Sequence, residues 1–271
     1  MLSRIAESLF WMGRYCERVE CTARILDVYS HALLEDRRGD ATTACAQLLQ
    51  AMGLPVDDLD VDDIDAEMLV ALLADDVRYP GSIVRSLDAV WDNARGAREA
   101  ISSEMWESIN TTHQQQHMRR GGSGAFARHA FLAWVRDRAA TLAGLTDSTM
   151  SRDDAWRFIV LGRNLERVDV TARLLSTRLG DAWGSAGWVT MLRACAAHEA
   201  FLRTYRRGVD GRRALGFLLL DRLFPRSVFH ASSRLIVESV RPASVAARSR
   251  THARNACRAN APLPPRRMFC C

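Results

Sequence analysis

Residues 10–26 read FWMGRYCERVECTARIL and residues 159–175 read IVLGRNLERVDVTARLL, one charged helix written twice at a spacing of 149. Nine of the 17 aligned positions are identical, and Glu20/Asp169, Ile25/Leu174 and Met12/Leu161 differ conservatively. What recurs is Gly-Arg-x-x-Glu-Arg-Val-acid-x-Thr-Ala-Arg. Packing alone usually repeats apolar positions, so a repeated charge pattern implies a shared task for the charges.

Around this core the periodicity is helical. Ile5, Leu9, Met12, Cys16, Val19, Ala23 and Leu26 alternate by threes and fours, one apolar stripe on a helix expected over about residues 3–34. The second copy is expected as a helix over about 152–179, opened by a capping box with Ser151 as cap and Asp154 three residues on. Further helices are expected at 39–52, 65–76, 82–110, 126–142, 188–207 and 215–223, with Gly180–Gly187 turning the chain. The acid-rich stretch 54–69 lacks the glycine and closing glutamate of a calcium loop, and reads as a loop and helix start. No segment alternates as a strand does. The fold class is all-α, a multi-helix bundle with an internal pseudo-repeat.

On a helical wheel at ~100° per residue, Gly13, Glu17, Glu20 and Arg24 share one stripe bordering the apolar face. Gly162, Glu166, Asp169 and Arg173 repeat it. Arg14/Arg18 and Arg163/Arg167 flank these stripes as like-charge pairs four residues apart, which repel and require an anionic partner. Three partners are open: the other copy's carboxylate across a pseudo-twofold axis, a ligand cleft, or a carboxylate metal site. The metal reading is weakest, because neither copy has the Glu-x-x-His that bundles use to hold paired metals. No metal or cofactor is therefore expected. Arg95, Arg98, Glu104, Trp106 and Glu107 form a second block that either ends a helix around a core Trp or completes the charged network. His113 and His117 lie in a polar, Gln-rich stretch and read as solvated.

Composition excludes several chemistries. All 37 basic residues are arginine, so there is no phosphate-loop lysine, Schiff base or Ser–Lys dyad. No nucleophile elbow, phosphate-cradling glycine loop or zinc-protease motif is present. Seven cysteines, with no CxxC pair and no secretory signal, fit a reduced cytoplasmic setting. No apolar run approaches the ~18 residues of a membrane span. The net charge of +5 is uneven: residues 231–271 hold eight Arg and one acid, while the first 230 residues are mildly acidic. That Arg/Pro/Ala-rich tail shows little apolar periodicity. It reads as a disordered basic arm or, preferably, as a disrupted reading frame, and nucleic-acid binding is not expected.

The blocks LSRIAESLFWMGRYCERVECTARIL, ARGAREAISSEMWESIN, TMSRDDAWRFIVLGRNLERVDVTARLL and FLLLDRLFPRSVFH together resemble the alpha-E domain family, over residues 1–230. The resemblance implies a helical bundle of uncharacterised role. It also implies association with circularly permuted ATP-grasp amidoligases and transglutaminase-like peptidases. The family's Glu-Arg motif carries over to Glu17-Arg18 and Glu166-Arg167. The expected function is thus a non-catalytic partner or substrate-presenting module of a peptide-modification system. One alternative is an enzyme of that pathway, with Glu17 or Glu166 as base and Arg14 or Arg163 holding an anion. The other is a scaffold whose charges are all internal.

Overall fold

A computed structural model describes residues 1–35, 41–54, 64–119, 125–177 and 184–240. Eleven α-helices and no strand occur among the described residues. They are α1 (Ser3–Glu35), α2 (Ala41–Met52), α3 (Ala66–Val70), α4 (Ile83–Gly96), α5 (Ser103–Arg119) and α6 (Ala125–Thr149). Then come α7 (Asp154–Ser176), α8 (Gly184–Ala194), α9 (His198–Tyr205), α10 (Gly211–Leu220) and α11 (Val228–Val240). A π-helical turn, Ala71–Asp75, extends α3.

Helix α1 is the axis of the bundle. Its stripe is buried as the periodicity requires, with Leu9, Met12, Ala23 and Leu26 fully enclosed. It packs most extensively on α7, then on α4 and α6, and α11 packs on α7. Two apolar cores form along it. Ile5, Leu9 and Met12 pack with Val90, Ile101, Met105, Leu142 and Ile159. Val19, Leu26 and Tyr29 pack with Leu48, Leu69, Leu73, Val170, Leu174 and Phe201. Each core draws on the same end of both α1 and α7, so these two helices run in the same direction. The repeated charges occupy the layer between the cores.

Two glycines set the distance between α1 and α7. A Cβ on Gly13 would overlap the carbonyl of Ile159, and one on Gly162 would overlap the carbonyl of Phe10. Phe10 and Ile159 are equivalent positions of the repeat, so the two contacts are mates across a pseudo-twofold axis. Backbone here touches backbone, and only hydrogen fits.

Several boundaries differ from the sequence reading. The helix expected over 82–110 is two helices: α4 ends at Gly96, a short 3₁₀ turn follows, and Ile101 is extended (φ −114°, ψ 159°). Ser102 then caps α5, its Oγ accepting from the Met105 amide at 3.1 Å, and that helix continues through the polar stretch to Arg119. Helix α6 likewise runs past 142 to Thr149. The cap of α7 is Asp153 rather than Ser151, because its Oδ1 reaches the amides of Ala155 and Trp156 at 3.0 and 3.4 Å. The span expected at 188–207 divides where Ala196 takes a positive φ of 54°. The helix expected at 215–223 begins earlier, at Gly211, where Asp210 caps it. Helix α11 crosses the point near 231 where helix signals were read as stopping. Ala231 is fully buried there, and Glu238 meets Arg157 and Arg234. Residues 241–271 of the tail, and 55–63 of the acidic stretch, lie outside the described residues. No helix among the described residues is long and apolar enough to cross a membrane.

Glycine is normally a liability within a helix, by ~1 kcal/mol relative to alanine. Gly144 in α6 has open space around its Cβ position, so Gly144→Ala should stabilise by about 0.5–1 kcal/mol. Gly13→Ala and Gly162→Ala should instead destabilise by about 3 kcal/mol through forced separation of two backbones. Urea denaturation of the three variants checks the opposite signs.

Candidate functional site

At the centre of the charged layer Glu166 is fully buried and enclosed by guanidinium groups from the other helix. Arg18 donates to it through Nε (2.6 Å) and Nη2 (3.1 Å), a bidentate fork, and Arg14 donates through Nε at 2.6 Å. Arg14 Nη2 also reaches Asp169 at 3.3 Å. The mate of the Arg18–Glu166 bond is present too: Arg167 Nε donates to Glu17 at 2.8 Å. Within each helix, Arg24 pairs with Glu20 and Arg173 with Asp169, the latter at 2.8 Å. The like-charge arginine pairs thus find the carboxylates of the opposite copy, except at one position.

That exception is Arg163. Its repeat mate, Arg14, binds the opposite Glu and acid. Across the axis those two places are taken by Arg226, from the turn before α11, which binds Glu17 at 2.8 Å and Glu20 at 2.5 Å. Arg163 is displaced toward Asp147, 3.8 Å away, and its buried Nε has no hydrogen-bond acceptor among the described residues. The Nε of Arg173 is in the same condition.

Two cavities flank the helix pair. One, of about 260 Å³, is lined by Glu17, Glu20, Arg24, Arg163, Arg167 and Arg226, with α6 forming an apolar wall. The other, of about 380 Å³, is lined by Arg18, Glu166, Asp169 and Arg173 with Tyr79, Gly53 and Gly81. There the Tyr79 hydroxyl donates to the carbonyl of Met52 and ties the C-terminal end of α2 to the cavity rim.

A family model described as "a predicted alpha-helical domain with a conserved ER motif" matches residues 1–263. The chain belongs to the Alpha-E family. The Glu-Arg dipeptide occurs here at Glu17-Arg18 and Glu166-Arg167, the four residues that close the lock. The Alpha-E chain is similar to an uncharacterised protein of Mycobacterium bovis, 26% identical over 86% of this chain and 29% of the relative. It is also similar to uncharacterised proteins of two Mycobacterium tuberculosis strains, at 26% and 25% identity over the same shares. The chain therefore spans less than a third of the length of these curated relatives. No solved structure matches it.

The second sequence block does not join the network of this Alpha-E domain. Arg95 pairs with Asp92 at 3.6 Å and lies over the Trp91 ring, and Arg98 lies over Trp106. Glu104 and Glu107 point to solvent, because the break at Gly96 turns α5 away from the charged layer. His113 is not merely solvated: its ring stacks on Trp91 at 4.6 Å and its Nε2 lies 3.3 Å from Asp88.

Sequence reasoning missed Arg226, which was quoted within FLLLDRLFPRSVFH but given no role. It also missed Asp27 on α1, whose carboxylate takes His129 Nδ1 at 2.6 Å and Arg136 Nη1 at 3.0 Å. Asp27, His31 and His129 have spacing suited to a cation, but Arg136 already occupies the second carboxylate oxygen. Glu17, Glu20 and Cys21 also lie within ligand spacing of one another. There burial pushes the Cys21 thiol well above its ordinary value despite Arg226, and Arg226 occupies both carboxylates, so the group suits a guanidinium better than a metal.

Burial alone would push the Glu17 carboxyl up, but Arg226 and Arg167 hold it down, from an ordinary 4.5 to about 2. A carboxylate held so acidic is a poor base at neutral pH. Its folded value lies below its unfolded one, so its contribution is complete above about 4.5 and lost as pH falls toward 2. Glu17→Gln should therefore destabilise by about 3–5 kcal/mol at pH 7, by stranding Arg167 and leaving Arg226 with Glu20 alone. Its deficit relative to wild type should shrink between pH 4.5 and 2. Urea denaturation at a series of pH values measures that deficit, and a pH-independent gap would contradict the assignment.

Proposed function

We propose that this Alpha-E domain is a non-catalytic helical partner, or substrate-presenting module, of an ATP-grasp amidoligase and transglutaminase-like peptide-modification system. The observation that carries the non-catalytic reading is the pairing of the motif's carboxylates. Glu166 is fully buried under three guanidinium N–H groups, and Glu17 is held by Arg167 and Arg226. Neither offers the exposed, proton-ready oxygen that a general base needs. The motif organises the bundle, and the cavities on its two flanks are where a ligand group enters.

The ligase and peptidase partners come from the family resemblance. The longer mycobacterial relatives support the idea of a module that works alongside other parts, since this chain accounts for 29% of their length. The scaffold reading also has support, because the chain's own arginines pair with Glu17 and Glu166. The two readings separate on the cavities: a scaffold has no use for arginines that face solvent-filled space.

The test is binding of an ATP-grasp ligase from the same genome to wild type, Glu166→Gln and Arg24→Gln, with thermal unfolding of each. Glu166→Gln should unfold or melt far lower. Arg24→Gln, on a cavity rim with its side chain 26% exposed, should stay folded and lower ligase-coupled product several-fold. A wild-type chain that neither binds the ligase nor changes its product would end the partner reading and leave the scaffold.

A further inference from the structure

The two halves of the charged layer are built from the same residues and are not in the same state. Around Glu166 and Asp169 each guanidinium has a carboxylate within 3.3 Å. Around Glu17 and Glu20 a fourth arginine has been added. Arg24, Arg163, Arg167 and Arg226 there face two glutamates and the distant edge of Asp147. Asp147 is shared with Arg152 at 3.0 Å and with the Trp156 indole at 3.3 Å. This half therefore carries one positive charge more than the other, where Arg14, Arg18 and Arg173 face Glu166 and Asp169. The extra charge sits at Arg163, whose side chain is only 15% exposed and whose Nε lacks an acceptor.

A guanidinium in this condition is costly. Burial and the neighbouring Arg167 both pull its pKa below the ordinary value. The space in front of it is a cavity of about 260 Å³. Its opposite wall is the face of α6 carrying Ala139, Ala140, Leu142 and Ala143. One side carries four arginines with Glu17 and Glu20, and the α6 side is apolar. The volume lies just under the ~300–1,000 Å³ of drug-sized pockets.

We propose that this cavity binds a small carboxylic acid, with its carboxylate on Arg163 and Arg167 and its short aliphatic or amino-acyl part against α6. A guanidinium presents parallel N–H donors that match a carboxylate edge. The one cation by which this half exceeds the other matches a monoanion. A phosphate dianion would face the repulsion of Glu17 and Glu20, which line the same cavity. The inference deepens the substrate-presenting reading, because a carboxylate is the group an amidoligase activates, and it rests on that reading for its biological meaning. The chemical claim stands on the cavity alone.

Its test is titration calorimetry and thermal shift with butyrate and N-acetylalanine, against butyramide and N-acetylalaninamide as neutral twins, and against inorganic phosphate. Wild type should bind the acids with a Kd of ~1 mM or tighter and ignore the amides. Arg163→Gln should weaken acid binding roughly ten-fold or more, the loss expected for a charge-assisted hydrogen bond. It should keep the unliganded melting temperature close to wild type, since a self-repelling charge has been removed. Arg14→Gln, the repeat mate, should lower that temperature markedly. Ala143→Leu, which fills the apolar wall and touches no charge, should also abolish binding. Equal binding of acids and amides, tighter binding of phosphate, or unchanged binding by Arg163→Gln would each overturn the proposal. Ligase binding measured on the same variants separates the two levels. Wild type that binds the ligase but not the acids sinks this inference alone, whereas wild type without ligase binding sinks the partner reading.

Discussion

The backbone contact between α1 and α7 is the constraint on which the bundle depends. Gly13 against Ile159 and Gly162 against Phe10 bring the helices so near that an arginine on one reaches the glutamate of the other without bending out of the layer. Move the helices apart and Glu166 becomes a buried carboxylate with distant partners, a state that costs several kcal/mol. The glycines and the charges are therefore one device. Neither part is tolerable in the interior without the other.

Because the paired helices run in the same direction, no short hairpin can join them. The chain must leave the end of α1 and return to the start of α7, and helices α2 to α6 make that journey. In doing so they supply the walls of both apolar cores. Buried ion pairs gain little net stability over apolar residues of equal volume. What they provide here is register. A slide of one residue along either helix would set carboxylate against carbonyl and strand a guanidinium, so the two cores on either side of the charged layer are held in phase.

Much of this was legible in the sequence for a physical reason. The repeat states the same contact twice, and a helix that writes Arg-x-x-Glu-Arg twice announces that arginines and glutamates will meet across an axis. The period of the apolar stripe placed α1 within one residue. What remained hidden depended on backbone events with weak local signals. Ser102 ends the extended turn after Gly96 with one hydrogen bond, and Ala196 adopts a positive φ with no glycine to mark it. Arg226 was hidden for another reason. It lies 206 residues from Glu20, and nothing in a local pattern tells which of 37 arginines will fold back onto the motif.

That arginine carries the deepest difference between motif and site. A repeated sequence fixes a repeated geometry, but chemistry follows the whole environment, and Arg226, from the turn before α11, binds the carboxylates of only one of the two copies. On that side Arg226 completes the lock in place of Arg163, and Arg163 is released to face the cavity against α6. On the other side Arg14 remains in the lock, and Tyr79 and the end of α2 line the cavity beside Glu166. One repeated pattern thus yields a half in which every arginine meets a carboxylate of the motif and a half in which Arg163 does not. Arg163 can change without loosening the fold, since it is the one arginine of the motif that meets no carboxylate of the motif.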